Sequence, residues 1–245
     1  MQDDRDKSIA LGHPSYVWRF GQERRLALIR RHAPLEGRRI LDVGCGVGIY
    51  IRALRALSDQ VYGVELDLER AAEAAAIRPH VAVAPAEALP FPADAFDAVL
   101  LHEVLEHVED DRQAMVEACR VARPGGRIVV FVPNRLYPFE THGAYWRGRY
   151  HFGNIPLINY LPDAWRRRFA PHVRAYTIGD LRRLFEGLDA ELLVHTQIYP
   201  GYDKIAAHRP GLAAIFRGVT YALERTPLRV FGLSHFAVLE KARLR

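Results

Sequence analysis

The chain alternates short apolar runs with stretches in which apolar residues recur every three or four positions. Compact aliphatic runs read as buried strands, and the longer periodic stretches as amphipathic helices. The runs predict strands at 39–43, 60–64, 81–84, 95–101 and 127–132. Helical spacing fills the gaps at 50–57, 68–77 and 111–121, and the ARPGG segment supplies the proline and glycines that stop the last of these. A further helix fits 178–186 behind a Thr177 cap, and two last strands fit 190–198 and 234–240. This alternation predicts an α/β fold, a mostly parallel, doubly wound sheet with helices on both faces.

Two stretches interrupt the alternation. Residues 133–175 mix aromatics (Tyr137, Phe139, Tyr145, Trp146, Trp165) with arginines, and 199–232 carry a helical run over 212–224. Long connections in a compact domain are commonly binding loops or lids. The N-terminal segment, with Tyr16, Trp18 and Phe20, is too aromatic for an unattached tail.

The most specific segment is ILDVGCGVGIY, residues 40–50. An apolar strand ends in acidic Asp42, and Gly44, Gly46 and Gly48 then open a helix. Alternate glycines let a ligand lie against main-chain N–H groups. The dinucleotide fingerprint fails, because Ile49 stands where its third glycine belongs. A second strand ends in Glu65, an acid suitably spaced to accept from a ribose diol.

With PAEALPFPADAFDAVLLHEVLEHV (85–108) and ARPGGRIVVFVPN (122–134), these segments resemble the class I S-adenosylmethionine-dependent methyltransferases. The resemblance covers 39–134 well and 176–198 more loosely. It implies a Rossmann-like sheet of seven strands whose last strand is antiparallel. It also implies S-adenosyl-L-methionine as cofactor, held by Asp42, Gly44, Cys45, Gly46 and Gly48 at the methionine end and by Glu65 at the ribose, with Leu66 also among the cofactor-binding residues. Asp67 is a weaker competitor for the ribose. The adenine falls to Ala86 and Glu87, since Pro85 stands where many relatives have an acid. In relatives the start of HEVLEH abuts the cofactor near its methyl group, so His102 is a candidate both for cofactor contact and for general base.

No metal site is expected. His102 and His107 are five positions apart, which on a helix turns them about 140° from each other. The Glu106–His107 pair reads as packing. Among residues after the fifth strand, His142 is best placed to deprotonate an acceptor, with Glu140 and Tyr145 to orient it and His151 and His172 as lesser rivals.

The 245 residues suit one domain: an N-terminal helical lid (1–38), a cofactor-binding core (39–132), a substrate-lid insertion (133–175) and the rest of the sheet with a helical insertion at 199–232 (176–245). Two cysteines, no signal-peptide pattern and no membrane-length apolar run point to a cytoplasmic protein, with peripheral membrane contact left open. Charge is divided: 39–132 hold nine Lys and Arg against fifteen Asp and Glu, whereas 133–175 hold seven against two. The expected partner is a small-molecule acceptor with a partly apolar body, anionic or lipid-like in character, methylated on a hydroxyl, carboxyl or ring carbon; no DNA is expected. The alternatives are an RNA or protein methyltransferase and a non-enzymatic S-adenosylmethionine-binding or assembly protein.

Overall fold

A computed structural model describes residues 16–78 and 80–243; residues 1–15 of the expected N-terminal lid lie outside them. Helix α1 (Phe20–His32) leads into β1 (Ile40–Val43), α2 (Ile49–Leu54), β2 (Val61–Glu65), α3 (Leu68–Ile77), β3 (Val81–Val83) and β4 (Phe96–His102). Then follow α4 (Asp111–Val121) and β5 (Ala122–Pro133). The first insertion holds β6 (Phe139–Glu140), β7 (Ala144–Trp146), β8 (Arg149–His151), β9 (Ile155–Pro156) and α5 (Asp163–Phe169). The chain closes with α6 (Ile178–Phe185), β10 (Ala190–Ile198), α7 (Asp203–Ala206), α8 (Pro210–Leu223) and β11 (Ser234–Lys241).

Seven strands form one sheet in the order β10–β11–β5–β4–β1–β2–β3. β1 pairs in parallel with β2 on one side and β4 on the other. The sheet therefore grows outward in both directions from β1, and the crevice at this switch point is where ligands of open α/β sheets sit. The last strand, β11, is antiparallel to both β5 and β10. The fold is the expected Rossmann-like one.

Alternate residues of the central strands enter separate cores. Leu41, Val43, Val99, Leu101, Ile128 and Val130 pack on one face with Met115 of α4 and Leu181 of α6. Ile40, Ala98, Leu100, Val129 and Phe131 pack on the other with Ile29 of α1 and Ile51 of α2. Burial on both faces explains why these strands read as continuous apolar runs. Helix α6 starts as expected: Thr177 and Asp180 form a reciprocal capping box.

Two local expectations change. The ARPGG segment belongs to the long strand β5 rather than to a helix stop; α4 runs straight into the sheet, with a register shift opposite Phe96–Ala98. Residues 103–110 form turns rather than a helix, so the angular argument separating His102 from His107 does not apply.

Candidate active site

A cavity of about 820 Å³ opens at the C-terminal ends of β1, β2, β4 and β5, with Asp42, Glu65, His102 and Pro133 among its lining residues. Its other walls come from α1, the first insertion and residues 199–205, the segment that leads into α7.

One end is acidic. Asp42 and Glu65 are nearly fully buried there. Burial, reinforced by the charge of Glu65, pushes the Asp42 carboxyl up to about 7. Glu65 accepts from the main-chain N–H of Gly46 (2.8 Å), Leu66 (2.9 Å) and Asp67 (3.0 Å). This ties the glycine loop to the end of β2. Gly46, at φ +54°, faces open space, and a Cβ there would meet nothing within 4 Å. Gly48 does another job: at φ +83° it lets α2 start against α3, where a Cβ would come within 3.1 Å of Ala74. Two buried acids beside a backbone cradle fit S-adenosylmethionine, which brings a cationic ammonium and sulfonium and a ribose diol.

Beyond the loop lies an arginine hub. The Arg25 guanidinium reaches His102 Nε2 (2.6 Å), Glu103 Oε1 (2.8 Å) and the Ser234 hydroxyl (2.8 Å). The Ser234 hydroxyl donates to Glu103 (2.9 Å). The His102 ring lies between Tyr50 and Phe131, at 4.3 and 4.7 Å between centroids. Burial and then the Arg25 charge lower His102 to about 3. A ring so held accepts from Arg25 at Nε2 and stays neutral, which makes it a weak base at ordinary pH. Glu103 follows with φ +58°, a left-handed backbone that non-glycine residues seldom adopt. Burial would raise its carboxyl, but the Arg25 charge and a hydrogen bond with the Glu106 carboxyl are among the causes that outweigh this and hold it at about 2.

The far end is built on His142. Its Nδ1 meets Glu140 Oε1 at 3.1 Å, and its main-chain N–H donates to the same oxygen at 2.9 Å. Buried Glu140 is paired with buried Arg166 at 2.6 Å. Arg166 also donates to Asn159 (3.2 Å) and to the Val173 carbonyl (2.8 Å). Burial would raise Glu140, yet the hydrogen bonds and charges of His142 and Arg166 bring it down to about 2. The ring of His142 crosses that of His107 edge-on at 5.3 Å. Its Nε2 stands 3.9 Å from Glu106 Oε1. Glu106 is fully buried, and its carboxyl shares a hydrogen bond with that of Glu103. Burial and the nearby Glu103 charge raise it well above the usual carboxylate range. One ligand atom from each of Glu106, His107 and His142 lies within 4.8 Å of the others.

The cavity thus brings together Asp42, Gly44, Cys45, Gly46, Glu65, His102 and His142. Other expected residues stand elsewhere. Leu66 holds Glu65 through its N–H and exposes its side chain. Ala86 is buried in the core. Glu87 accepts from the N–H groups of Glu109 and Asp110 (2.9 and 3.2 Å), bracing the turn before α4. Asp67 caps α3, accepting from Glu69 and Arg70 N–H. His172 approaches the His142 carbonyl at 3.2 Å, whereas His151 is exposed. In the N-terminal segment Trp18 packs edge-on against Tyr50 (5.1 Å), while Tyr16 stays exposed.

Sequence reasoning missed Arg25, Ser234 and the 199–205 wall. Arg25 carries no local mark beyond lying on an amphipathic helix next to Leu26, and Ser234 merely begins a strand. Glu103 and Glu106 lie in a segment that was noticed, but its helical reading concealed their convergence with His142.

Residues 41–130 match the family model described as a methyltransferase domain. A demethylmenaquinone methyltransferase of Clavibacter sepedonicus is 38% identical over 111 residues, 43% of this chain and 45% of its own. A ubiquinone biosynthesis O-methyltransferase of Aromatoleum aromaticum is 35% identical over 131 residues, 49% of this chain and 56% of its own. The chain thus spans about half the length of the curated relatives it matches. The solved S-adenosylmethionine-dependent methyltransferase of Mesorhizobium loti covers 88% of this chain and 96% of its own, with TM-score 0.62 at 21% identity, a likeness of fold. Matched motif, sheet order and acid-lined crevice agree: residues 41–130 are a class I S-adenosylmethionine-dependent methyltransferase domain.

Proposed function

We propose that this protein transfers the methyl group of S-adenosylmethionine to a hydroxyl, carboxyl or ring carbon of a small, partly apolar acceptor. The observation that carries the reading is one cavity joining buried Asp42 and Glu65 to the Glu140-held His142. Bound there, the cofactor supplies a methyl group on a sulfonium, already a strong electrophile. The protein's work is then to hold the reactants in line and exclude water. Asp42 faces the cationic end, the loop from Gly44 to Gly48 lies along it, and Glu65 takes the ribose hydroxyls. Leu66 contributes through its main chain by holding Glu65, and Glu87 braces the turn before α4. His142 is the group through which a hydroxyl acceptor loses its proton. His102, neutral and stacked, shapes the wall between the two ends.

The lid is formed by α1 together with 133–175 and the 199–205 segment. Tyr137, Phe139, Tyr202 and Phe216 line the acceptor side and suit a flat ring. The names of the two curated relatives, both from quinone methylation, point the same way. The two acids of 133–175 are both taken, Glu140 by Arg166 and Asp163 by Arg135, so an excess of five arginines remains there. Exposed Trp146, Phe152, Leu157 and Trp165 sit in the same insertion as exposed Arg147, Arg149, Arg167 and Arg168, which supports peripheral contact with an anionic membrane. No helix of the described residues is long and apolar enough to cross one.

The test is calorimetry followed by turnover. S-adenosylhomocysteine is expected to bind at micromolar strength and NAD not at all. Labelled methyl should then pass to a hydroxylated aromatic in an acceptor panel. Tight NAD binding without any S-adenosyl ligand would overturn the reading. Binding without turnover across the panel would favour a non-enzymatic role.

A further inference from the structure

We infer that Glu106, His107 and His142 form a divalent-cation site at the acceptor end of the cavity, and that the cation receives the acceptor's oxygen. The inference rests on the methyltransferase reading for the identity of the second reactant; the site itself rests on side-chain geometry.

Three observations converge. The candidate ligand atoms lie within 4.8 Å of one another, close enough for small rotations to bring them onto one ion. Glu106 is fully buried, its carboxyl shares a hydrogen bond with that of Glu103, and its Oε1 stands 3.9 Å from His142 Nε2. Two carboxyls side by side in a buried site repel each other unless a proton or a cation lies between them. Finally, the second ring nitrogens are already engaged. Glu140 holds His142 Nδ1, leaving Nε2 toward Glu106. The His172 main chain pairs with the His107 ring, and His107 Nδ1 is buried without a partner. Carboxylate or carbonyl support behind each imidazole is the usual outer arrangement of a metal-binding histidine.

The donor set identifies the class of ion. Two imidazoles and one carboxylate suit a first-row transition ion such as Zn²⁺ or Co²⁺ better than Mg²⁺, which prefers oxygen ligands. Three protein ligands leave positions open, as in catalytic rather than structural sites. His107 and His142 both line the cavity, so an open position faces the acceptor. A hydroxyl oxygen bound there is acidified: its O–H bond breaks, the proton passes to solvent water, and the pair stays on oxygen. His142 thus acts through the ion, and Glu140 is its positioning residue. The class of acceptor follows, a molecule with a hydroxyl able to ligate a metal.

The experiment uses the full chain, stripped with a chelator and titrated with Co²⁺ and then Zn²⁺, with S-adenosylhomocysteine affinity measured on the same samples. One Co²⁺ per chain is expected, with visible d–d bands that Zn²⁺ removes. Glu106→Gln and His107→Ala should each weaken Co²⁺ binding at least 10-fold, and Glu140→Gln should weaken it by about 10- to 100-fold. S-adenosylhomocysteine binding should be unchanged in all of them. If Glu106→Gln fails to fold, the other two variants decide. Absence of stoichiometric Co²⁺, or binding indifferent to these substitutions, overturns the inference. S-adenosylhomocysteine binding without Co²⁺ binding sinks the cation site alone. The reverse result sinks the methyltransferase reading alone.

Discussion

At the end of the cavity assigned to the cofactor, Asp42, the glycine loop and Glu65 belong to one strand–helix–strand unit of the sheet. At the acceptor end, Arg25 comes from α1, His107 from a turn, His142 from the first insertion and Tyr202 from the second. The first end is held by main-chain N–H groups, three of them on Glu65 alone. The second is held by side-chain ion pairs, the buried Glu140–Arg166 and the half-buried Arg25–Glu103. A backbone-built site tolerates side-chain change as long as the loop keeps its shape. A site built from buried charges depends on every partner, because removing one leaves another uncompensated.

The sharpest way to break this contrast is to cut the Glu140–Arg166 pair. Arg166→Met should cost about 3–5 kcal/mol of folding stability, since Glu140, Asn159 and the Val173 carbonyl all lose a donor. Chemical denaturation measures this, and Glu140→Met in the same chain should recover much of the loss. A cost under ~1 kcal/mol would mean that the acceptor end does not depend on its buried charges.

Asp42 sharpens the comparison from the other side. Its carboxyl rises from 3.8 in the unfolded chain to about 7 on folding, through burial and then the Glu65 charge. Below about pH 4 both states hold the proton. Between about 4 and about 7 only the folded state does, so stability falls as pH rises through that window. Roughly three pH units at ~1.4 kcal/mol each give up to about 4 kcal/mol. Asp42→Asn should therefore flatten ligand-free melting temperature against pH and raise it at pH 8, while weakening S-adenosylhomocysteine binding. An unchanged slope would show that Asp42 is not the group responsible.

His142→Ala tests the chemistry. Turnover of a hydroxyl acceptor should fall by ~10²-fold or more while cofactor affinity stays nearly constant. Glu65→Ala does the reverse, weakening S-adenosylhomocysteine by about 1.5–3 kcal/mol through loss of a charged acceptor. Calorimetry and steady-state rates on both variants separate the two ends. Equal losses in both measurements for both variants would mean the ends are not independent.

The difference in construction explains what could be read in advance. The strands declared themselves because both faces are buried, so Leu100 and Leu101 of β4 are equally apolar though they enter different cores. Asp42, Gly46 and Glu65 were legible because turn, cradle and acid are adjacent in sequence. Helix α6 was legible from Thr177. Arg25 was not, because its role depends on α1 packing across the sheet through Ile29, a tertiary event with no local signature. The approach of Glu106 to His142 was not legible, because a helical period was assumed where 103–110 turn instead. His142 was found by position after β5, but its support by Glu140 and Arg166 required β6 and α5 to meet.

The smallest effect comes from Asp67, the rival to Glu65. Its carboxylate accepts from Glu69 N–H (3.1 Å) and Arg70 N–H (3.0 Å), which fixes it as the N-cap of α3. A cap of this kind stabilises a helix by about 0.5–2 kcal/mol relative to alanine. Asp67→Ala should thus lower the unfolding free energy by that amount and leave S-adenosylhomocysteine affinity within about twofold, because Glu65 still holds the Gly46 N–H. Its N–H contact to Glu65 Oε1 is main-chain and survives the substitution. Denaturant titration and calorimetry on the one variant give both numbers. Should affinity fall tenfold with stability intact, the ribose role would pass from Glu65 to Asp67, and the cofactor end would depend on a helix cap as much as on the strand end beside it.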